Sequence, residues 1–230
     1  MFYNNLFYDV YNDQQFFEMK KGIEIRKSEL SKLQSKIFKT QNIINQINEI
    51  LEDIKGAEIA CEKYEEQQNK LKREKLATLL TIDCKIKGTS FKKNELNQVL
   101  SYIDKHSDQE KFGGYSNKEI EEIGARQYKY DGFYTENFTL EKDMENIEYP
   151  DAVKVLVNTI FVGYLPKESS SKVSVLLDSG KSIVKGRITV VGGPYKEFDY
   201  LEDKVVTVKN EFGLKLSCKF LNKYMYMSEV

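Results

Sequence analysis

All three prolines of this 230-residue chain, Pro150, Pro166 and Pro194, lie in its last third. Proline removes a backbone donor and clashes with the preceding turn, so residues 1–149 are free of that barrier to long helices. From about Asp13 to Thr78 the apolar spacing is helical. Ile23, Leu30, Leu33, Ile37, Ile44, Ile47, Leu51 and Ile54 recur at three and four residues, as in a coiled-coil seam. Glu58 and Glu65 would occupy the next seam positions. A shift of one residue recovers Ala57, Cys61, Tyr64 and Leu71, which reads as a register slip. Gly56, beside the slip, marks either a bend between two helices or a glycine tolerated within one. An amphipathic helix of this length needs a partner for its seam: a second copy, a folded-back hairpin or another protein. The expectation is a homo-oligomer formed through residues 15–75, with the hairpin as the alternative.

After Thr78 the pattern changes. Leu79–Phe91 contains β-branched residues and reads as a strand that ends in Gly88. Leu96, Val99, Leu100 and Ile103 share one helical face. Ser116 and Glu119 form a capping box, with Gly124 as the stop. Strands are expected at Phe133–Leu140, Ala152–Val157, Thr159–Tyr164, Ile183–Val191, Lys204–Lys209 and Leu214–Phe220. A short helix follows Pro166, with Val173, Leu176 and Leu177 inward and Gly180 closing it. The expected class is α+β: a small OB-like β-barrel with helical insertions, preceded by a helical or coiled-coil region. The expected divisions are 1–78, 79–222 and a tail at 223–230.

Charge limits the partners. Residues 1–80 carry 13 basic and 13 acidic side chains, and the remainder 22 and 23. Neither part is a polycation that would coat nucleic acid by counterion release, so any such contact must be a small, shaped site. Three widely spaced cysteines and a single His106 exclude a zinc knuckle or disulfide framework and fit a reducing cytosol. No apolar run is long enough to span a membrane, and the aromatic N-terminus lacks the form of a signal peptide. The expectation is a cytoplasmic protein with no membrane partner, no metal and no cofactor. The acidic cluster Glu141, Asp143, Glu145, Glu148 and Asp151 invites a metal or nuclease reading, but a strand and turn put alternate carboxylates on opposite faces and no histidine supports them. No nucleophile can be assembled around His106, so no enzyme is expected.

Four ordered blocks remain: "KIKGTSF" (85–91), "YPDAVKVLV" (149–157), "FVGYLPKE" (161–168) and "VVGGPYKEF" (190–198). Together they resemble the HIRAN domain, in its free-standing bacterial form, over about residues 81–220. The segment 114–132 resembles an insertion carried by such forms. The resemblance implies an OB-like barrel that receives the 3′-hydroxyl end of single-stranded DNA. It implies a stacking role for Phe91 beside Lys92, a turn wall at Tyr164 and Lys167, and a Gly-rich loop running into Tyr195 and Lys196. Stacking on an aromatic ring and a lysine facing phosphate suit sequence-independent strand binding.

The family turn reads close to "NPYDPNAVKV"; here it is "NIEYPDAVKV". Asn146, Pro150, Ala152, Val153, Lys154 and Val155 match, while Glu148 and Tyr149 stand at the family's Tyr and Asp. Either Glu148 or Asp151 supplies the hydroxyl-reading carboxylate after a small shift of the turn, or end binding is lost. From the residues alone, Phe91 is either core or stacking platform, and Tyr164 either a half-buried barrel residue or a ligand contact. Lys167 is a solvated turn residue or a phosphate contact. The Gly192-Gly193-Pro194 run reads first as a hairpin turn. The expected function is a non-enzymatic module for single-stranded DNA or its 3′ end. The alternative is a protein-interaction factor, of mobile-element or defence type, that no longer binds DNA ends.

Overall fold

The computed structural model describes residues 12–34 and 41–228. Contacts divide the chain into two compact units, Met1–Leu76 and Ala77–Val230.

In the first unit α1 (Asp13–Gln34) packs against α2 (Gln41–Ala77). Met19 and Ile23 of α1 are buried with Ile50, Ile54, Ala57, Ala60 and Cys61 of α2, and Leu30 and Leu33 pack beside them. Lys20 pairs with Glu65 (2.6 Å), Lys27 with Glu58 (2.9 Å) and Arg26 with Asp53 (3.5 Å), while the Tyr64 hydroxyl donates to Asp13 (2.8 Å). Partner numbers fall along α2 as they rise along α1, so the helices run antiparallel. The seam is therefore covered inside the chain at Ile23, Ile47 and Ile54, as in the hairpin reading, while its members Ile44 and Leu51 stay exposed. Gly56 is not the bend; it lies within a continuous α2, and the connection falls between Gln34 and Gln41. The register slip appears as read, with Ala57, Cys61 and Tyr64 buried, but Leu71 is 52% exposed. Ile37 lies outside the described residues.

The second unit combines three antiparallel sheets with four helices. Strand β1 (Thr78–Lys85) pairs with β10 (Phe212–Asn222), β10 with β7 (Ser182–Gly192), and β7 with the short β3 (Tyr134–Thr135). Strand β4 (Phe138–Lys142) pairs with β5 (Val153–Val157), and β5 with β6 (Ile160–Tyr164). Strand β2 (Gln127–Tyr128) pairs with β8 (Tyr195–Asp199), and β8 with β9 (Lys204–Val208). Among the described residues the ladders form three separate sheets, and no single closed barrel. The four-stranded sheet and the β4–β5–β6 sheet meet in one core that includes Phe133, Val153, Val155, Ile188, Leu216 and Phe220, covered by α3 (Lys93–Lys105) and α5 (Lys167–Ser179); the β2–β8–β9 sheet places no residue in it. The helix α4 (Asn117–Ile123) carries the capping box, and α6 (Lys223–Met227) follows β10.

Two sequence readings need correction. The expected strand Phe133–Leu140 is two strands in different sheets, β3 on β7 and β4 on β5. Gly192-Gly193-Pro194 is not a hairpin turn, because β7 and β8 belong to different sheets. No helix among the described residues is long and apolar enough to cross a membrane.

Candidate nucleic-acid interface

The site is built where β1 ends. Gly88 takes a left-handed conformation (φ 78°) and starts a 3-10 turn, Thr89–Phe91, that leads into α3. This turn carries Phe91 out of the core: its ring is 89% exposed, so the buried reading of Phe91 fails. Lys87, just before the turn, exchanges backbone hydrogen bonds with Tyr164 at the end of β6 (2.8 and 2.9 Å). That bridge needs Gly163. A Cβ there would lie 2.2 Å from the Lys87 carbonyl oxygen, and φ is 147°. The glycine of the "VGY" turn thus lets the first and third blocks touch.

Beside the bridge, the Lys92 ammonium lies 5.2 Å from the centroid of Phe161, whose ring meets Tyr164 edge-on at 5.1 Å. Such cation–ring and edge-to-face contacts hold the aromatic pair in place. Lys92 also pairs with Glu95 (3.5 Å), and Lys93 with Glu211 (3.3 Å).

Tyr164 turns its hydroxyl inward, donating to Asp143 Oδ2 at 2.7 Å. Asp143 is 4% exposed; its Oδ1 meets Lys154 Nζ at 2.8 Å and accepts from the Glu145 N–H at 3.3 Å. The Lys154 ammonium holds the Asp143 carboxyl below the usual range, with help from the Tyr164 hydroxyl and against burial, which pushes it up. The same hydrogen bond raises the Tyr164 hydroxyl above its ordinary value, and Asp143 raises Lys154. Asp143 belongs to the acidic cluster set aside as a metal or nuclease site, and the sequence reading gives it no structural role. The signal that exposes it is Lys154, a lysine inside the apolar run "VKVLV", which needs an acidic partner on a neighbouring strand.

The altered turn follows. Asn146 Oδ1 accepts from the Tyr149 N–H (3.0 Å), and the Tyr149 hydroxyl donates to the Lys167 carbonyl (2.8 Å) and lies 2.9 Å from Ser171 Oγ. Lys167 Nζ sits 5.4 Å from the Tyr149 ring centroid. Tyr149 therefore fastens the turn to the start of α5. Asp151 is half-buried and accepts from Ser174 Oγ at 3.2 Å, whereas Glu148 is exposed. Of the two carboxylates considered for reading a hydroxyl, Asp151 is occupied by α5 and Glu148 faces solvent.

Tyr195 and Lys196 stand apart, on the β2–β8–β9 sheet. The Tyr195 ring packs against Tyr128 (5.4 Å) with the Arg126 guanidinium 4.8 Å from its centroid. Lys196 donates to Asn117 Oδ1 (3.0 Å) and lies 4.9 Å from the Phe112 ring centroid. Both hold the helical insertion against β8. The loop before them is also engaged: Gly193 N–H donates to the Glu211 carbonyl (3.0 Å), and Pro194 O accepts from Lys129 N–H (2.8 Å). Contacts thus link Phe91, Lys92, Tyr164, Tyr149 and Lys167 around one region, while Tyr195 and Lys196 serve another.

The arrangement is an exposed ring among lysines in an α+β unit, on a turn joined to the end of β6 by backbone hydrogen bonds. Residues 122–215 match the family model of the HIRAN domain, a module associated with nucleic-acid binding. Glu148, Tyr149, Asp151, Tyr164, Lys167, Tyr195 and Lys196 fall inside the match; Phe91 and Lys92 precede it. No curated protein and no solved structure matches the chain.

Proposed function

We propose that the second unit binds single-stranded DNA by stacking a base on Phe91, with Lys87, Lys92, Lys93 and Lys167 meeting the backbone. The observation that carries this reading is Phe91. A phenylalanine 89% exposed on a turn, with lysines at positions 87, 92 and 93, has no packing role in the described chain. A ring so placed offers a π-face to any base, and each stacked base contributes about 1–3 kcal/mol. The free 3′-hydroxyl is read by Glu148, because Asp151 is committed to Ser174. An interior 3′ oxygen carries no proton to donate, so a carboxylate acceptor selects strand ends.

The module acts by binding rather than by catalysis. Burial pushes the Cys218 thiol up to about 12 and raises Cys61 and Cys84, the reverse of an activated nucleophile. His106 Nδ1 is engaged with the Tyr102 carbonyl at 2.8 Å.

The test is a titration of labelled single strands ending in a 3′-hydroxyl or a 3′-phosphate, at fixed salt. Phe91→Ala is expected to weaken binding of both by about 5- to 150-fold, from the loss of one stack, with an unchanged melting temperature. Glu148→Gln is expected to erase the preference for the free hydroxyl. Failure of the wild-type chain to bind any strand at low salt would sink the proposal.

Self-association through residues 15–75 belongs to the same reading. Ile44, Leu51 and Ile59 remain 38%, 44% and 43% exposed on α2. At about 100° per residue they fall within roughly 80° of one another, a stripe on which a second copy can pack.

A further inference from the structure

The face of the four-stranded sheet turned away from the core is basic, and its residues are fixed by register. Along β10, Leu214, Leu216, Cys218 and Phe220 are buried, so Lys215, Ser217 and Lys219 point outward. Their partners on β1 are Lys85, Asp83 and Thr81, and on β7 Thr189, Arg187 and Lys185. Tyr134 of β3 stands opposite Thr189 and is 44% exposed. One face therefore gathers Lys85, Lys185, Arg187, Lys215 and Lys219. Carboxylates beside them include Asp83, which pairs with Lys215 (2.8 Å) and accepts from Ser217 Oγ (2.9 Å), and Glu136, which shares a concavity with Lys185. In a chain of net charge −1 this is a local concentration of cations.

Aromatic rings lie among these cations. The Arg187 guanidinium is 5.2 Å from the Tyr134 ring centroid, and Lys185 Nζ is 4.2 Å from that of Tyr226, whose hydroxyl it also meets. Cations interleaved with aromatic rings on an open sheet match the chemistry of a nucleic-acid strand, with phosphates for the charges and bases for the rings.

We propose that this sheet face is a second contact surface for nucleic acid, a track for the phosphate backbone of the strand whose end is held at Phe91. The proposal rests on the strand-binding reading above and extends it. Lys85 joins the two regions, lying at the end of β1 just before Lys87 and the Phe91 turn. The row Lys85, Lys215, Thr189 and Tyr134 crosses four strands. At about 4.8 Å between strands it is wide enough for more than one phosphate. A strand end alone occupies the Phe91 site; a longer strand also crosses the sheet.

The experiment measures affinity against salt for the full chain, using an oligothymidine of about 15 nucleotides and a thymidine trimer, lengths chosen around known single-strand site sizes. For single strands the slope of log K against log salt is about −0.7 per neutralised phosphate. Lys85→Gln with Arg187→Gln is expected to flatten the slope for the long strand by about 1.4. The trimer slope and the preference for a free 3′-hydroxyl should stay as they are. Lys63→Gln with Lys70→Gln, which removes the same charge from α2, should leave both slopes unchanged. Thermal melting confirms that the variants fold. Binding with an unchanged long-strand slope overturns the track and leaves the Phe91 site standing. Equal flattening by the α2 pair also overturns it, since net charge alone would then explain the effect. If the wild-type chain binds neither strand, the Phe91 reading falls and the track with it.

Discussion

The Tyr164 hydroxyl gives its proton to Asp143, and only the ring, half-buried beside Phe161, remains for a ligand. The two parts of the side chain can be separated. Tyr164→Phe removes one hydrogen bond from a buried carboxylate that keeps two other partners, and should cost about 1–2 kcal/mol of stability. Strand affinity should change by less than about twofold, an effect under 0.5 kcal/mol. A large loss of affinity without a loss of stability would instead show the hydroxyl touching the strand. Asp143 adds a pH dependence. Its carboxyl titrates below the ordinary range in the folded chain, so its contribution is fully present above the unfolded value and disappears as pH falls through the folded one. The melting temperature of the second unit should therefore drop below about pH 4, the ordinary carboxylate range. Asp143→Asn should lower the neutral-pH value and flatten that acid limb. An acid limb equally steep in the variant would assign it to other carboxylates.

At the scale of elements, the turn at Gly163 is the most sensitive joint. Gly163→Ala places a methyl group 2.2 Å from the Lys87 carbonyl oxygen, against backbone that cannot rotate away. The Lys87–Tyr164 bridge should open and release the end of β1. Increased hydrogen exchange at the Lys87 and Tyr164 amides, with weakened strand binding, is the expected result; unchanged protection would mean that the bridge has adapted. This joint was half legible in the sequence. Period-two patterns and turn residues located β5, β6, β7, β9 and β10, and the Ser116–Glu119 capping box formed as read. Pairing was not legible. Nothing local in Phe133–Leu140 reports that its ends join different sheets, and β8, whose residues are all half-buried, shows no alternation to read. For the site, Phe91 was found, but its exposure depends on a 3-10 turn that the run from Leu79 disguised as strand. Asp143 was missed because its burial comes from Tyr164 and Lys154, partners on β6 and β5.

At the scale of the whole chain, the proposed strand binding and the proposed self-association are assigned to different units, so each can be tested separately. The second unit has its own core, from Ile82 to Phe220, and its inter-strand ladders all lie within residues 78–222. A chain beginning at Ala77 is therefore expected to fold and to bind one single strand as the full chain does. Removing Met1–Leu76 takes away the stripe of Ile44, Leu51 and Ile59. Sedimentation should then show the full chain associating with rising concentration and the shortened chain remaining monomeric. Replacing Ile44 and Leu51 by Gln in the full chain should give the same result, because both side chains are exposed and their loss leaves no cavity between α1 and α2. Association also has a consequence for binding. Two strand-binding units held together make the second contact intramolecular, which raises affinity for a DNA with two free ends without any new contact. The full chain should accordingly prefer a two-ended substrate over a one-ended strand, and the shortened chain should not. Equal preference in both chains would mean that the helical unit, whatever else it does, does not pair the binding sites.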